Sequence, residues 1–137
     1  MIVKKPWGTY EVLLDEPTYK VKRIVVHPYE RFSLQYHKYR EEHWVIVEGD
    51  GIVQVKHKEY PAIARSHWVI LPRELHRATA GSTGLIFIET QIGDCREEDI
   101  IRLEEPEDIF PAYTKAWERV DGRSTLLVEY GDYYGEK

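Results

Sequence analysis

With a single cysteine in 137 residues, Cys95 has no intramolecular partner, so the chain is not a disulfide-stapled scaffold. Long apolar runs are also missing. No stretch approaches the roughly 18 residues that would cross a bilayer as a helix, which argues against that kind of membrane role. The charged pair Lys4-Lys5 near the start is not followed by an apolar segment, so an export signal is not expected and the chain reads as cytoplasmic. A basic excess is absent as well: 19 Lys and Arg stand against 24 Asp and Glu, a net charge of −5, with both signs interspersed. That lacks the electrostatic footprint of a nucleic-acid binder. A small anion remains a feasible ligand where a few Lys and Arg converge locally. Internal repeats, low-complexity tracts and linkers are missing too, so residues 1–137 read as one domain, long enough to bury about two-thirds of the surface of its unfolded chain.

What the sequence has in abundance is short runs rich in β-branched and aromatic residues, ended every ten residues or so by Gly, Pro or a charged cluster. This predicts an all-β sandwich or barrel. Strands are expected over 10–14, 19–26, 32–37, 43–48, 51–57, 60–64, 68–71, 75–80 and 85–91. Glu48-Gly49-Asp50-Gly51 supplies the residues a tight hairpin demands. Two helical pieces are expected near the end, an acidic turn over 97–101 and a helix over 111–120. In the latter, Pro111 suits a first helical position, and Phe110, Tyr113 and Trp117 form a stripe. A further strand over 124–130 and a tail over 132–137 complete the reading.

The densest chemical signal is QYHKYREEHW from Gln35, joined later by LPRELH ending at His76. Strand alternation puts Gln35 and His37 on one face, Glu42 can re-enter on the next strand, and His76 can arrive from a distant one. Two imidazoles, a carboxylate and an amide oxygen suit one divalent first-row cation with a position left for water or substrate. Zinc is the expected ion, with manganese, iron, cobalt and nickel as alternatives. His27, His57 and His67 have no such company and read as ordinary surface or core residues.

The spacing His37, four residues, Glu42, six residues, Gly49 resembles the first cupin motif, with Gln35 where a histidine is usual and Tyr29 where the motif usually opens with glycine. The second motif, Pro-x-Gly-x-x-His, is matched by Pro72-Arg73-Glu74-Leu75-His76, one residue short and without glycine. The implied fold is a cupin, a double-stranded β-helix or jelly-roll barrel, with a C-terminal extension over 106–137. More specifically, KPWGTY from Lys5, YKVKRI from Tyr19, SLQYHKYREEHWVIVEG from Ser33 and QIGDCREEDIIRLEE from Gln91 resemble the isomerase domain of type II mannose-6-phosphate isomerases over 5–105. That domain is often fused behind a mannose-1-phosphate guanylyltransferase, whose glycine-rich, lysine-bearing nucleotide signature is absent here.

The resemblance implies interconversion of mannose 6-phosphate and fructose 6-phosphate through an enediol. It assigns Arg40 to the phosphate or enediolate, with Lys22 as phosphate or base candidate and Arg23 as a further phosphate contact. His43, Glu74 and Lys22 are the candidate proton-transfer bases, and Trp7 and Tyr10 could form a sugar-stacking wall. Two other functions fit the same residues: another metal-cupin reaction such as an oxygenase, and a non-catalytic sugar-binding cupin. A homodimer is expected, because residues 43–47 and 51–55 carry apolar side chains on both strand faces.

Overall fold

A computed structural model describes residues 1–103. These form nine strands, and no helix occurs among the described residues: β1 Ile2–Lys5, β2 Gly8–Glu16, β3 Tyr19–Val26, β4 Leu34–Tyr36, β5 Arg40–Val55, β6 Lys58–Ile63, β7 His67–Ile70, β8 His76–Gly93 and β9 Ile101–Leu103. Hydrogen bonding joins all nine into a continuous curled sheet. Its two halves are linked by β5 and β8, which pair from Arg40↔Gly93 to Val55↔His76. On one side of the bend β8 lies between β3 and the first half of β5, with β7 beyond; on the other the second half of β5 pairs with β6, and β8 with β4.

Alternation sorts the side chains. In β3, Lys20, Lys22, Ile24 and Val26 face inward. Cross-strand register then builds rows on the inner face: Ile24–Phe87–Ile46, Lys22–Glu89–Trp44 and Lys20–Gln91–Glu42. The first row belongs to the apolar core with Val26, Val53 and Leu85, where Trp44 and Phe87 stack at 4.5 Å between ring centroids. Each such side chain, fully buried, contributes about 1.5–3 kcal/mol. Apart from Trp44, the next two rows are charged and polar, and there the barrel interior changes from core to cavity.

Three expectations need correction. β1 was not foreseen; it is a charged edge strand that pairs with β2 alone. Residues 48–51 do not turn back as a hairpin. Gly49 has φ 95°, but β5 continues past it as a bulged corner, paired with β8 on both sides while Gly81 to Gly84 bow out opposite. A Cβ at residue 49 would collide with the Gly84 carbonyl oxygen. Residues 97–101 are not helical: a turn at Glu97-Glu98 leads into β9, which pairs with β4. The helix expected over 111–120 and the strand over 124–130 lie outside the described residues. Among the described residues no helix is long and apolar enough to cross a membrane.

Candidate metal centre

Gln35, central in β4, and His37, just beyond it, line one cavity of about 890 Å³, as alternation requires. Glu42 enters on β5 and His76 opens β8, its backbone paired with Gln35. Donor atoms of His37, Glu42 and His76 all lie within 4.8 Å of one another, and all three residues are buried. His37 Nε2 stands 3.1 Å from Glu42 Oε2, and His76 Nε2 3.6 Å from Glu42 Oε1. Ligands around a tetrahedral zinc at its usual bond lengths sit about 3.4 Å apart.

The tautomers suit a cation. His37 Nδ1 lies 2.7 Å from the Asp99 carbonyl oxygen and His76 Nδ1 2.9 Å from that of Glu74. A carbonyl only accepts, so each neutral ring carries its proton on Nδ1 and turns the Nε2 lone pair toward Glu42, the orientation typical of metal-ligating histidines. His76 Nε2 is buried without a hydrogen-bond partner. Facing lone pairs repel, and a cation between them turns that repulsion into bonds. The donor set therefore fits a divalent metal ion.

Electrostatics agree. Burial alone would raise the Glu42 carboxyl, but its contacts with His37 and Glu89 and the nearby imidazoles hold it well below the carboxylate range. Burial pushes the His76 imidazole down to about 4, against the pull of Glu42, so it is neutral near pH 7. Burial, then the charge and hydrogen bond of Glu42, push the Glu89 carboxyl well above its ordinary range. Arg40 Nε and Trp44 Nε1 donate to the two Glu42 oxygens at 3.0 and 3.1 Å, and Arg40 Nη2 reaches His37 Nε2 at 3.2 Å.

The two missing motif glycines are replaced in conformation if not in identity. Tyr29 has φ 65° and Arg73 φ 71°, both in the left-handed region that glycine favours. The Arg73 N–H donates to the His37 carbonyl oxygen at 2.6 Å, so the shortened loop ties the approach to His76 directly to His37.

Lys22 lines the cavity with its Nζ 2.9 Å from Glu97 Oε2 and 4.2 Å from the Tyr10 ring centroid, and Trp7 lies in the same wall. Arg23, one residue on, is exposed on the opposite strand face and does not join them. His43 also faces outward, 2.6 Å from Glu41 Oε2, and Glu74 accepts from the Leu71 N–H, so neither lines the cavity. The sequence reading overlooked Glu89, Gln91, Arg31, Arg77 and Arg102, all cavity-lining. A detectable signal existed for two of them. Within 85–91, Leu85 and Phe87 mark the core face, and alternation places Glu89 and Gln91 on it. Gln91 is 0 % exposed, and neither of its amide atoms has a hydrogen-bond partner among the described residues. A buried polar group left unpaired costs about 1–3 kcal/mol.

Curated relatives share the sequence. Mannose-1-phosphate guanylyltransferase RfbM of Salmonella typhimurium is 35% identical over 117 residues, 84% of this chain and 24% of that protein. Alginate biosynthesis protein AlgA of Pseudomonas aeruginosa is 37% identical over 105 residues, 75% of this chain and 22% of that protein. The chain thus spans about a quarter or less of the length of these relatives. Among solved structures, the capsular polysaccharide assembling protein CapF from Staphylococcus aureus superposes with TM-score 0.69 at 17% identity, over 77% of this chain and 32% of that one. An RmlC-like cupin from Shewanella frigidimarina gives 0.65 at 20% identity, over 72% and 86%. The architecture is that of a cupin. Residues 1–105 match the family described as "Mannose-6-phosphate isomerase C-terminal", and the chain belongs to that family.

Proposed function

We propose that the chain is a metal-dependent aldose–ketose isomerase that interconverts mannose 6-phosphate and fructose 6-phosphate. The observation that carries this reading is that His37, which clusters with Glu42 and His76, lines the same cavity as a cationic wall. Lys5, Lys22, Arg31, Arg40, Arg77 and Arg102 line it against the acids Glu89, Glu97 and Glu98, in a chain whose net charge is −5. A local excess of positive charge in an acidic protein suits a phosphorylated substrate.

His37, Glu42 and His76, with Gln35 beside them, would hold one divalent ion, zinc by expectation, whose Lewis acidity steadies the negative charge that develops on an enediolate. Arg40 offers a fork matched to phosphate or to that developing charge. Lys22 and Glu89 line the cavity and are the groups assigned to proton transfer between C1 and C2. The whole reaction takes place in the chain's own barrel, and the proposal needs nothing from the guanylyltransferase part of the longer relatives.

The test is a coupled assay of mannose 6-phosphate, glucose 6-phosphate and fructose 6-phosphate with the protein loaded with zinc, then manganese, iron, cobalt or nickel. Interconversion of mannose 6-phosphate and fructose 6-phosphate, abolished by chelation, is expected. Sugar-phosphate binding without turnover at full occupancy would indicate a binding cupin instead, and oxygen consumption an oxygenase.

A further inference from the structure

Gln91 is the one fully buried side chain in the cavity wall whose entire amide lacks a protein partner among the described residues. It sits on the inner face of β8, directly opposite Glu42 on β5 and Lys20 on β3. Its neighbours are committed elsewhere. The Lys20 Nζ donates to the Cys95 carbonyl and to Glu97 at 3.0 Å, and both Glu42 oxygens already accept from Trp44 and Arg40. An amide has two N–H donors and an acceptor, and Gln91 is one of the residues lining the cavity.

A phosphate monoester, largely dianionic at neutral pH, offers mainly acceptors and is matched by the cations. A metal ion needs only donated lone pairs. A hydroxyl both donates and accepts, as an amide does, and a polyol presents several side by side. We infer that Gln91 is a specificity-determining residue that reads hydroxyls of the sugar carbon chain beside the Glu42 centre. The inference rests on the proposed sugar-phosphate reading and adds the group that separates a polyol phosphate from other phosphates. A site whose buried polar groups are completed only by the right ligand rejects analogues that leave them unpaired.

Gln91→Leu removes the amide at nearly constant volume. Calorimetric titration of the zinc-loaded full chain and of this variant would use fructose 6-phosphate, the non-reacting mannitol 6-phosphate and inorganic phosphate as probes. Both sugar phosphates should bind tenfold or more weakly in the variant, with inorganic phosphate within twofold and zinc content unchanged. Thermal stability should be equal or higher, since an unpaired buried amide is lost; a residue of merely structural importance would lower it. Equal affinity of both proteins for fructose 6-phosphate, parallel weakening of inorganic phosphate, or loss of zinc would each overturn the assignment of Gln91 alone. If the parent protein bound neither sugar phosphate, the sugar-phosphate reading itself would fall, and this inference with it.

Discussion

Arg40 Nε donates to Glu42 Oε2 at 3.0 Å, two residues along the same inward strand face, so a permanent cation leans on the carboxylate at the centre of the candidate metal cluster. The guanidinium is buried and also donates to the Arg96 carbonyl oxygen at 3.2 Å. Arg40 is therefore not a solvated surface arginine. Its fork has one edge on Glu42 and His37 and belongs to the wall a substrate would touch.

Arg40→Lys keeps the charge and loses the fork. If Arg40 stabilises the transition state, kcat and kcat/KM should fall together by roughly a hundredfold, about 2.7 kcal/mol, at unchanged metal content. A rise in KM alone would restrict it to ground-state phosphate binding, and full activity of Arg40→Ala would remove it from the reaction.

Truncating His37 removes one of three donors from the cluster. His37→Ala should lower bound zinc from about one per chain to a small fraction, measured by elemental analysis after dialysis against micromolar zinc. Occupancy equal to that of the parent would show that the ion, if any, sits elsewhere.

For the metal-free protein, acid should act through His76. Its folded imidazole stays neutral down to about 4, whereas an exposed one titrates near 6.5. Between those values the unfolded chain binds more protons, so stability rises with pH across the window and is lost on acidification. The contribution is on the order of 3 kcal/mol. Glu42, depressed in the fold, adds a loss in the same direction at lower pH; Glu89, raised, works the opposite way. Urea unfolding at pH 7 and pH 4 should show a smaller loss for His76→Gln than for the parent, and equal losses would reject the assignment.

Left-handed backbone at Arg73 and Tyr29 costs about 1 kcal/mol per residue relative to glycine. Arg73→Gly and Tyr29→Gly should each leave urea-measured stability unchanged or raise it by up to about that amount, with zinc uptake retained. Destabilisation beyond 1 kcal/mol would show that the side chains, not only the backbone, hold these turns.

The outer face of β5 and β7 exposes Val45, Val47 and Val69, with Leu71 just after β7, each at least 43 % accessible. We propose that a second copy covers it. Sedimentation at micromolar concentration should give twice the chain mass, and Val45→Glu with Val69→Glu should return it to the monomer. A monomer in the parent protein would reject the dimer.

Strand positions, the inward pairing of Gln35 with His37, and the approach of Glu42 and His76 were legible because period-two alternation and motif spacing are local properties of the chain. The corner at Gly49 was misread for an equally local reason. A positive-φ glycine between two strands signals a hairpin or a bulge alike, and only the distant partner β8 decides between them. Arg31, Arg77 and Arg102 were overlooked because their place in the wall depends on cross-sheet register, which leaves no trace in neighbouring residues. Tyr29 and Arg73 show the reverse: sequence identity departed from the motif while the backbone conformation did not.

The β5–β8 ladder also has a bearing on how the chain folds. Its pairs run from Val55↔His76, whose intervening chain holds only β6 and β7, to Arg40↔Gly93, whose intervening chain is more than twice as long. Loop-closure entropy favours zipping from the first end toward the second. His76 lies at the early end and Glu42 near the late one, so the pocket for an ion is finished only when the ladder has closed almost completely. An ion bound there acts as a latch on the last rungs. Such an ion should slow unfolding far more than it speeds folding and so act as a kinetic guardian of the barrel.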